Sequence, residues 1–191
     1  MSIISMILLI SCDTCDEVVC PSPFTNEELL WLPYSEGDKL LFLDINSTDS
    51  LIYRISHIES VRLEPTEDGA PYCTTACLYQ LSVTGDGDIS NGDEDRFGFG
   101  MTKTISGFSL RSGSGDNSEY EFNLEDAIHM DSLLVNGQYL KNVYKYITYP
   151  MQEKVAETYV HQGKGLVKIK FRNGYDFELV EHYRIIIFGA I

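Results

Sequence analysis

The stretch Leu166-Val167-Lys168-Ile169-Lys170-Phe171-Arg172-Asn173-Gly174-Tyr175-Asp176-Phe177-Glu178-Leu179-Val180 decides the fold. Val167, Ile169 and Phe171 alternate with Lys168, Lys170 and Arg172, and after Asn173-Gly174 the residues Tyr175, Phe177 and Leu179 alternate with Asp176 and Glu178. A period of two on both sides of a turn signal predicts a β-hairpin. A two-residue Asn173-Gly174 loop would set Phe171 opposite Asp176 and Ile169 opposite Glu178, mixing apolar with charged partners. A three-residue loop of Arg172, Asn173 and Gly174 instead sets Phe171 opposite Tyr175, Ile169 opposite Phe177 and Val167 opposite Leu179. Lys170 then faces Asp176 and Lys168 faces Glu178. Each matched pair contributes roughly 0.2–1 kcal/mol, and their sum selects the second register. Its loop ends in a left-handed bulge residue, a conformation that Gly174 adopts without a Cβ clash.

Working outward, the same pattern recurs. Lys39 to Ile45 is nearly continuously apolar, Asn46 to Ser50 is a turn, and Leu51 to Leu63 alternates, with Tyr53, Ile55, Val61 and Leu63 toward the core and His57 and Glu59 on that same face. Further strands are predicted at 72–83, 96–105, 107–111, 120–124, 138–149, 155–161, 166–171 and 175–180, while 127–135 is ambiguous between a helical turn and a strand. Ile185 to Phe188 reads as a closing strand, being too short to cross a membrane. Thr25 and Glu28 have the spacing of a capping box ahead of Leu29, Leu30 and Trp31, which predicts a short helix over Asn26 to Leu32, ended by Pro33, that plugs one end or face of the sheet. Long amphipathic helical patterns are absent from the sequence. The predicted fold is therefore mostly β: a single antiparallel curved sheet, barrel or sandwich with a short N-terminal helix.

The chain has 191 residues with 43% apolar content, enough for one sizeable core and short for two domains. Its formal net charge of -15 removes counterion release as a binding force, so nucleic acid is excluded as a partner. The same acidity opposes docking onto anionic lipid through a charged face. Membrane attachment has another source. The run Ile3 to Ile10 has the length of a signal-peptide core and ends in Leu9-Ile10-Ser11-Cys12, which resembles a bacterial lipobox. We read residues 1–11 as a signal peptide, Cys12 as the lipidated residue, 12–23 as anchor and tether, and 24–191 as the single β domain.

Cys15, Cys20, Cys73 and Cys77 remain, an even number that suits disulfides in an oxidising compartment. On a strand running from Tyr72, Cys73 and Cys77 stand roughly 13 Å apart, beyond the ~7 Å that a disulfide tolerates, so they should not pair with each other. The arrangement expected is Cys15 with Cys77 and Cys20 with Cys73. The same separation makes a poor zinc chelate, and we assign no metal ligands and no cofactor.

Asp86, Asp88, Asp93, Glu94 and Asp95 invite a calcium reading, but counting from Asp86 puts Asn91 where an EF-hand needs glycine and Phe97 where it needs its bidentate glutamate. A solvated hairpin loop accounts for them better. No nucleophile elbow, zinc-protease helix, phosphate loop or dinucleotide fingerprint occurs, and His57, His129, His161 and His182 are scattered.

Three segments resemble uncharacterised envelope lipoproteins of Bacteroidetes-type bacteria: FTNEELLWLPYSEGDKLLF (24–42), DSLLVNGQYLKNVYKY (131–146) and YVHQGKGLVKIKFRNGYDFEL (159–179). The resemblance implies an envelope location and an all-β domain, and it brings no catalytic residue set. Asp13, Asp16 and Glu17 after the cysteine resemble a surface-export signal, so the periplasmic and surface faces of the outer membrane both stay open. Cys73, Cys77 and the apolar end after Tyr183 depart from the pattern. The function expected is a non-catalytic binding or structural module, attached to the membrane through its N-terminal lipid and recognising a protein, glycan or small apolar ligand. The alternatives are an envelope hydrolase, or an inhibitor or immunity protein with an acidic binding face.

Overall fold

A computed structural model describes Cys20 and residues 22–63, 77–89, 94–104, 107–114, 120–124, 126–147 and 155–184. Residues 1–11, Cys12, Cys15, Cys73 and the expected closing strand at 185–188 lie outside them.

The capping box forms. Glu28 N–H donates to Thr25 Oγ1 at 3.2 Å and Thr25 N–H to Glu28 Oε2 at 2.7 Å, starting helix α1 at Asn26–Leu29. The helix is shorter than the predicted Asn26 to Leu32: the amides of Leu30, Trp31 and Leu32 bond only three residues back, to Glu27, Glu28 and Leu29, and Pro33 disfavours helical backbone at Leu32. Trp31 and Leu32 leave the helix and are buried in the main core, with the Trp31 ring edge-on to Tyr144 at 5.4 Å.

Eleven strands follow: β1 Lys39–Asp44, β2 Ser50–Leu63, β3 Leu78–Ile89, β4 Glu94–Thr104, β5 Gly107–Ser114, β6 Tyr120–Asn123, β7 Ile128–Val135, β8 Gln138–Ile147, β9 Val155–His161, β10 Gly165–Phe171 and β11 Asp176–Tyr183. They form one antiparallel sheet in the order β6-β5-β4-β3-β2-β1-β11-β10-β9-β8-β7. Two meanders thus grow outward from a central β1–β11 pair, and the sheet curls into a half-barrel. Leu40, Phe42, Tyr53, Met101, Leu110 and Phe177 fill the concave side, to which strand alternation directs most of the buried apolar residues. The ambiguous segment 127–135 is strand β7.

The decisive hairpin takes the three-residue loop. Lys168 pairs with Glu178, Ile169 with Phe177 and Lys170 with Asp176; Phe171 N–H donates to Tyr175 O at 2.9 Å, and Gly174 has φ 103°. Phe171 and Phe177 are buried, and Tyr175 packs on them.

Bulges correct other expectations. Between β9 and β10, Leu166 and Lys168 oppose the consecutive residues Val160 and Tyr159, so Val167 is extra. It turns to the convex face and joins Val135, Val143 and Tyr159 there, where simple alternation had placed it with Ile169 and Phe171. Ser56 is likewise extra between β2 and β3, which reverses the faces beyond Ile55. Ile58 then packs against the core, and His57 points to solvent, 3.3 Å from the Glu36 carboxylate. In β11 the extra residue is Val180.

The acidic residues are not all in a loop. Asp86 and Asp88 stand exposed on β3 while Gly85, Gly87 and Ile89 face inward, and Asp88 lies 3.7 Å from Arg54. Glu94 and Asp95 begin β4.

Cysteine pairing also departs from expectation: Cys77 bonds to Cys20, not to Cys15. Their Cα atoms are 5.4 Å apart, within disulfide reach. Cys77 precedes β3 instead of lying inside a strand begun at Tyr72. Chain geometry explains the partner. Phe24 packs edge-on against Phe108 of β5, and Glu28 pairs with Lys103 of β4, so the segment before α1 runs toward the end of the sheet where Leu78 pairs with Thr104.

Candidate functional site

The site is built by the β7–β8 hairpin. Asn136 and Gly137 have φ 45° and 76°, the two left-handed residues of a type I′ turn, and Val135 pairs with Gln138 across it. Asn142 is also left-handed, at φ 55°, an irregularity in β8 opposite β7. The asparagine and glycine positions of the second quoted segment are thus backbone devices. The tip reaches the convex face of the half-barrel, where Asn136 N–H donates to Glu178 Oε2 at 2.7 Å. Under it, Val135, Val143, Tyr159 and the bulged Val167 form a second, small apolar cluster.

Beside that cluster, polar side chains are packed in complementary pairs. Lys168, largely buried, lies 2.8 Å from Glu178 and 2.9 Å from Asp176. Burial alone would lower its pKa, but hydrogen bonds and charge from Glu178 and Asp176 outweigh it and raise the ammonium above its ordinary value. Burial acts to raise the Glu157 carboxyl, yet bonds from Lys145 at 2.7 Å and Tyr159 Oη at 2.5 Å, with the charge of Lys170, hold it below the ordinary value.

Between the hairpin tip, the β9–β10 turn and the end of β11 lies a half-open cleft of about 360 Å³. Val135, Leu140, Val167 and Leu179 give it apolar walls. Asn136 and Gln138 offer amide groups, and Lys164, Glu181 and Arg184 carry the charges of its rim. No serine, threonine, cysteine or tyrosine is among its described lining residues.

His182 also borders the cleft. Its Nε2 is 2.8 Å from Oδ2 of Asp38, which is fully buried and accepts the Ser35 N–H through the same oxygen at 2.9 Å. The Tyr34 ring stands edge-on to His182 at 5.6 Å, and Tyr34 Oη accepts the Leu166 N–H at 2.6 Å. Burial, and secondarily the Asp38 charge, push the Tyr34 phenol above its ordinary pKa against the lowering effect of the Leu166 bond. This assembly fixes the imidazole and joins the loop after α1 to β10 and β11.

The other histidines lie elsewhere. His57 is on the outer surface, His129 rests on the Tyr144 ring, and His161 is depressed below its ordinary pKa by burial and by Lys164. The sequence reading missed the Asp38–His182 contact, which spans 144 positions. Its local trace is the Ser35–Asp38 spacing of a side-chain-closed turn. Among the described residues no group of three or more His, Cys, Asp or Glu is placed to hold a metal, and no helix is long and apolar enough to cross a membrane. No protein-family model, curated protein or solved structure matches the chain.

Proposed function

We propose that this chain is an acylated envelope lipoprotein whose β domain is a non-catalytic binding module with the convex cleft as its site. The cleft carries the reading: apolar walls beneath a hydrogen-bonding rim suit a small amphipathic ligand, and its size falls within the ~300–1,000 Å³ of typical ligand sites. Supporting attachment are the Ile3 to Ile10 run, the Leu-Ile-Ser-Cys ending at Cys12 and the resemblance to envelope lipoproteins. Intact-mass analysis of protein from native membranes is expected to show a chain beginning at acylated Cys12; a soluble chain retaining Met1 would refute the anchor.

For the cleft, the test is native mass spectrometry of the protein and of Leu140→Trp, whose indole would fill it. A co-purifying small-molecule mass on the wild type, lost in the variant, is expected; equal occupancy of both would place binding elsewhere. The hydrolase reading draws on His182 held by Asp38, the one histidine–carboxylate pair described at a cleft. It has no hydroxyl or thiol nucleophile among the described lining residues, so His182 would act on water. Turnover of ester or amide substrates abolished by His182→Gln would favour it over the binding reading.

A further inference from the structure

Most described cations in this acidic chain are engaged: Lys145, Lys168 and Lys170 with acids on the convex face, Lys103 with Glu28, Arg54 with Asp88 and Arg62 over the Tyr79 ring. Lys39, Lys141, Lys164 and Arg184 are exposed and their side chains make no ion pair or hydrogen bond with a described residue, and of these Lys164 and Arg184 line the cleft. Leaving two cations unanswered beside one cavity, in a chain of net charge -15, makes that cavity a local attractor for an anion. Glu181 also lines the cleft, so Lys164, Arg184 and Glu181 together hold a single net positive charge, which suits a monoanion better than a dianion.

The walls set the rest of the ligand. Val135, Leu140, Val167 and Leu179 form a patch continuous with the small convex cluster and bonded to nothing polar. A volume of about 360 Å³ holds roughly a dozen groups the size of a water or methylene, at ~30 Å³ each. Resting on the binding reading above, we propose that the cleft takes a medium-chain carboxylate. Its alkyl chain lies along the four aliphatic walls and its headgroup sits between Lys164 and Arg184. The planar guanidinium of Arg184 matches a carboxylate in two parallel hydrogen bonds, and the Asn136 and Gln138 amides are available to the same oxygens.

The test is equilibrium dialysis of labelled decanoate and decanol, below their micellar and solubility limits, against the full chain carrying Cys12→Ser to prevent acylation, and against the same chain with Lys164→Gln and Arg184→Gln. Both rim residues are exposed, so the substitutions leave the core intact, and an unchanged thermal melt checks this. Decanoate is expected to bind about tenfold more tightly than decanol, and the double variant to lose that advantage while decanol binding stays the same. Decanol bound as tightly as decanoate, or decanoate binding unchanged in the variant, would overturn the headgroup assignment and leave the cleft as a binding site. Binding of neither would overturn the carboxylate proposal, and the Leu140→Trp comparison decides separately whether the cleft is occupied at all.

Discussion

The Leu166 N–H donates to the hydroxyl oxygen of Tyr34 at 2.6 Å, across 132 positions of sequence. That bond gives a fully buried residue of β10 a partner outside the sheet at the point where the Val167 bulge interrupts the β9 ladder. Replacing Tyr34 by Phe keeps the ring and orphans the amide. An unsatisfied buried N–H costs about 1–3 kcal/mol, so Tyr34→Phe is expected to lower the midpoint of chemical unfolding by that equivalent. Unchanged stability would mean that water or another group satisfies Leu166.

Two glycines of β10 and its hairpin should respond differently to alanine. Both are left-handed, Gly165 at φ 71° and Gly174 at φ 103°, but a Cβ on Gly174 meets nothing within 4 Å. One on Gly165 would collide with the Tyr34 hydroxyl and ring and approach Pro33 Cδ to 3.1 Å. Gly174→Ala is expected to cost about 1–2 kcal/mol, from backbone strain alone, and Gly165→Ala about 3–5 kcal/mol, from strain plus overpacking. Denaturant titrations that ranked them the other way would contradict the Tyr34 packing.

Glu157 supplies a pH signature. Its carboxyl is held below the ordinary value of 4.5, so its contribution is fully present above pH 4.5 and is lost as pH falls through the folded value. The variant Glu157→Gln is expected to be less stable by about 1–2 kcal/mol at pH 7, through weakened bonds to Lys145 and Tyr159, and to converge on the wild type in acid. Parallel unfolding curves, with the gap constant from pH 7 to pH 3, would be evidence against this coupling.

The Cys20–Cys77 bond closes a separation of 57 residues. A loop of that size corresponds to about 4 kcal/mol of unfolded-state entropy in the chain model. Reduction, or Cys77→Ala, is expected to remove about 2–4 kcal/mol. Peptide mapping without reductant should recover the Cys20 and Cys77 peptides linked; a Cys73–Cys77 peptide instead would contradict the fold at this end.

Strand identities and the β10–β11 register were legible because they rest on local alternation and on a turn that only one loop length satisfies. Face assignments failed where a strand carries an extra residue. Ser56 within Arg54-Ile55-Ser56-His57-Ile58 has no composition that marks a bulge, so parity carried past Ile55 put His57 inward and Ile58 outward. Val167 sits in a run where either neighbour is an acceptable core residue, and its place became visible only with the β9 partner. The cleft was invisible for a related reason. Its residues come from three hairpins, and each looks like an ordinary wall residue or surface charge until Asn136-Gly137 is seen reaching Glu178.

Placing the first and last described strands side by side at the sheet's centre has a consequence for how the chain assembles. Each meander closes through neighbours near in sequence, β1 to β6 on one arm and β7 to β11 on the other, and local pairings of that kind form quickly. The β1–β11 seam is the long-range exception. It waits for residues 177–183 to be made and to meet residues 39–44, which lie far earlier in the chain. Until then β1 presents an unfilled edge, the kind of surface that recruits a stray strand. Newly made chains cut short before β11 would therefore keep two preformed halves and a sticky margin between them.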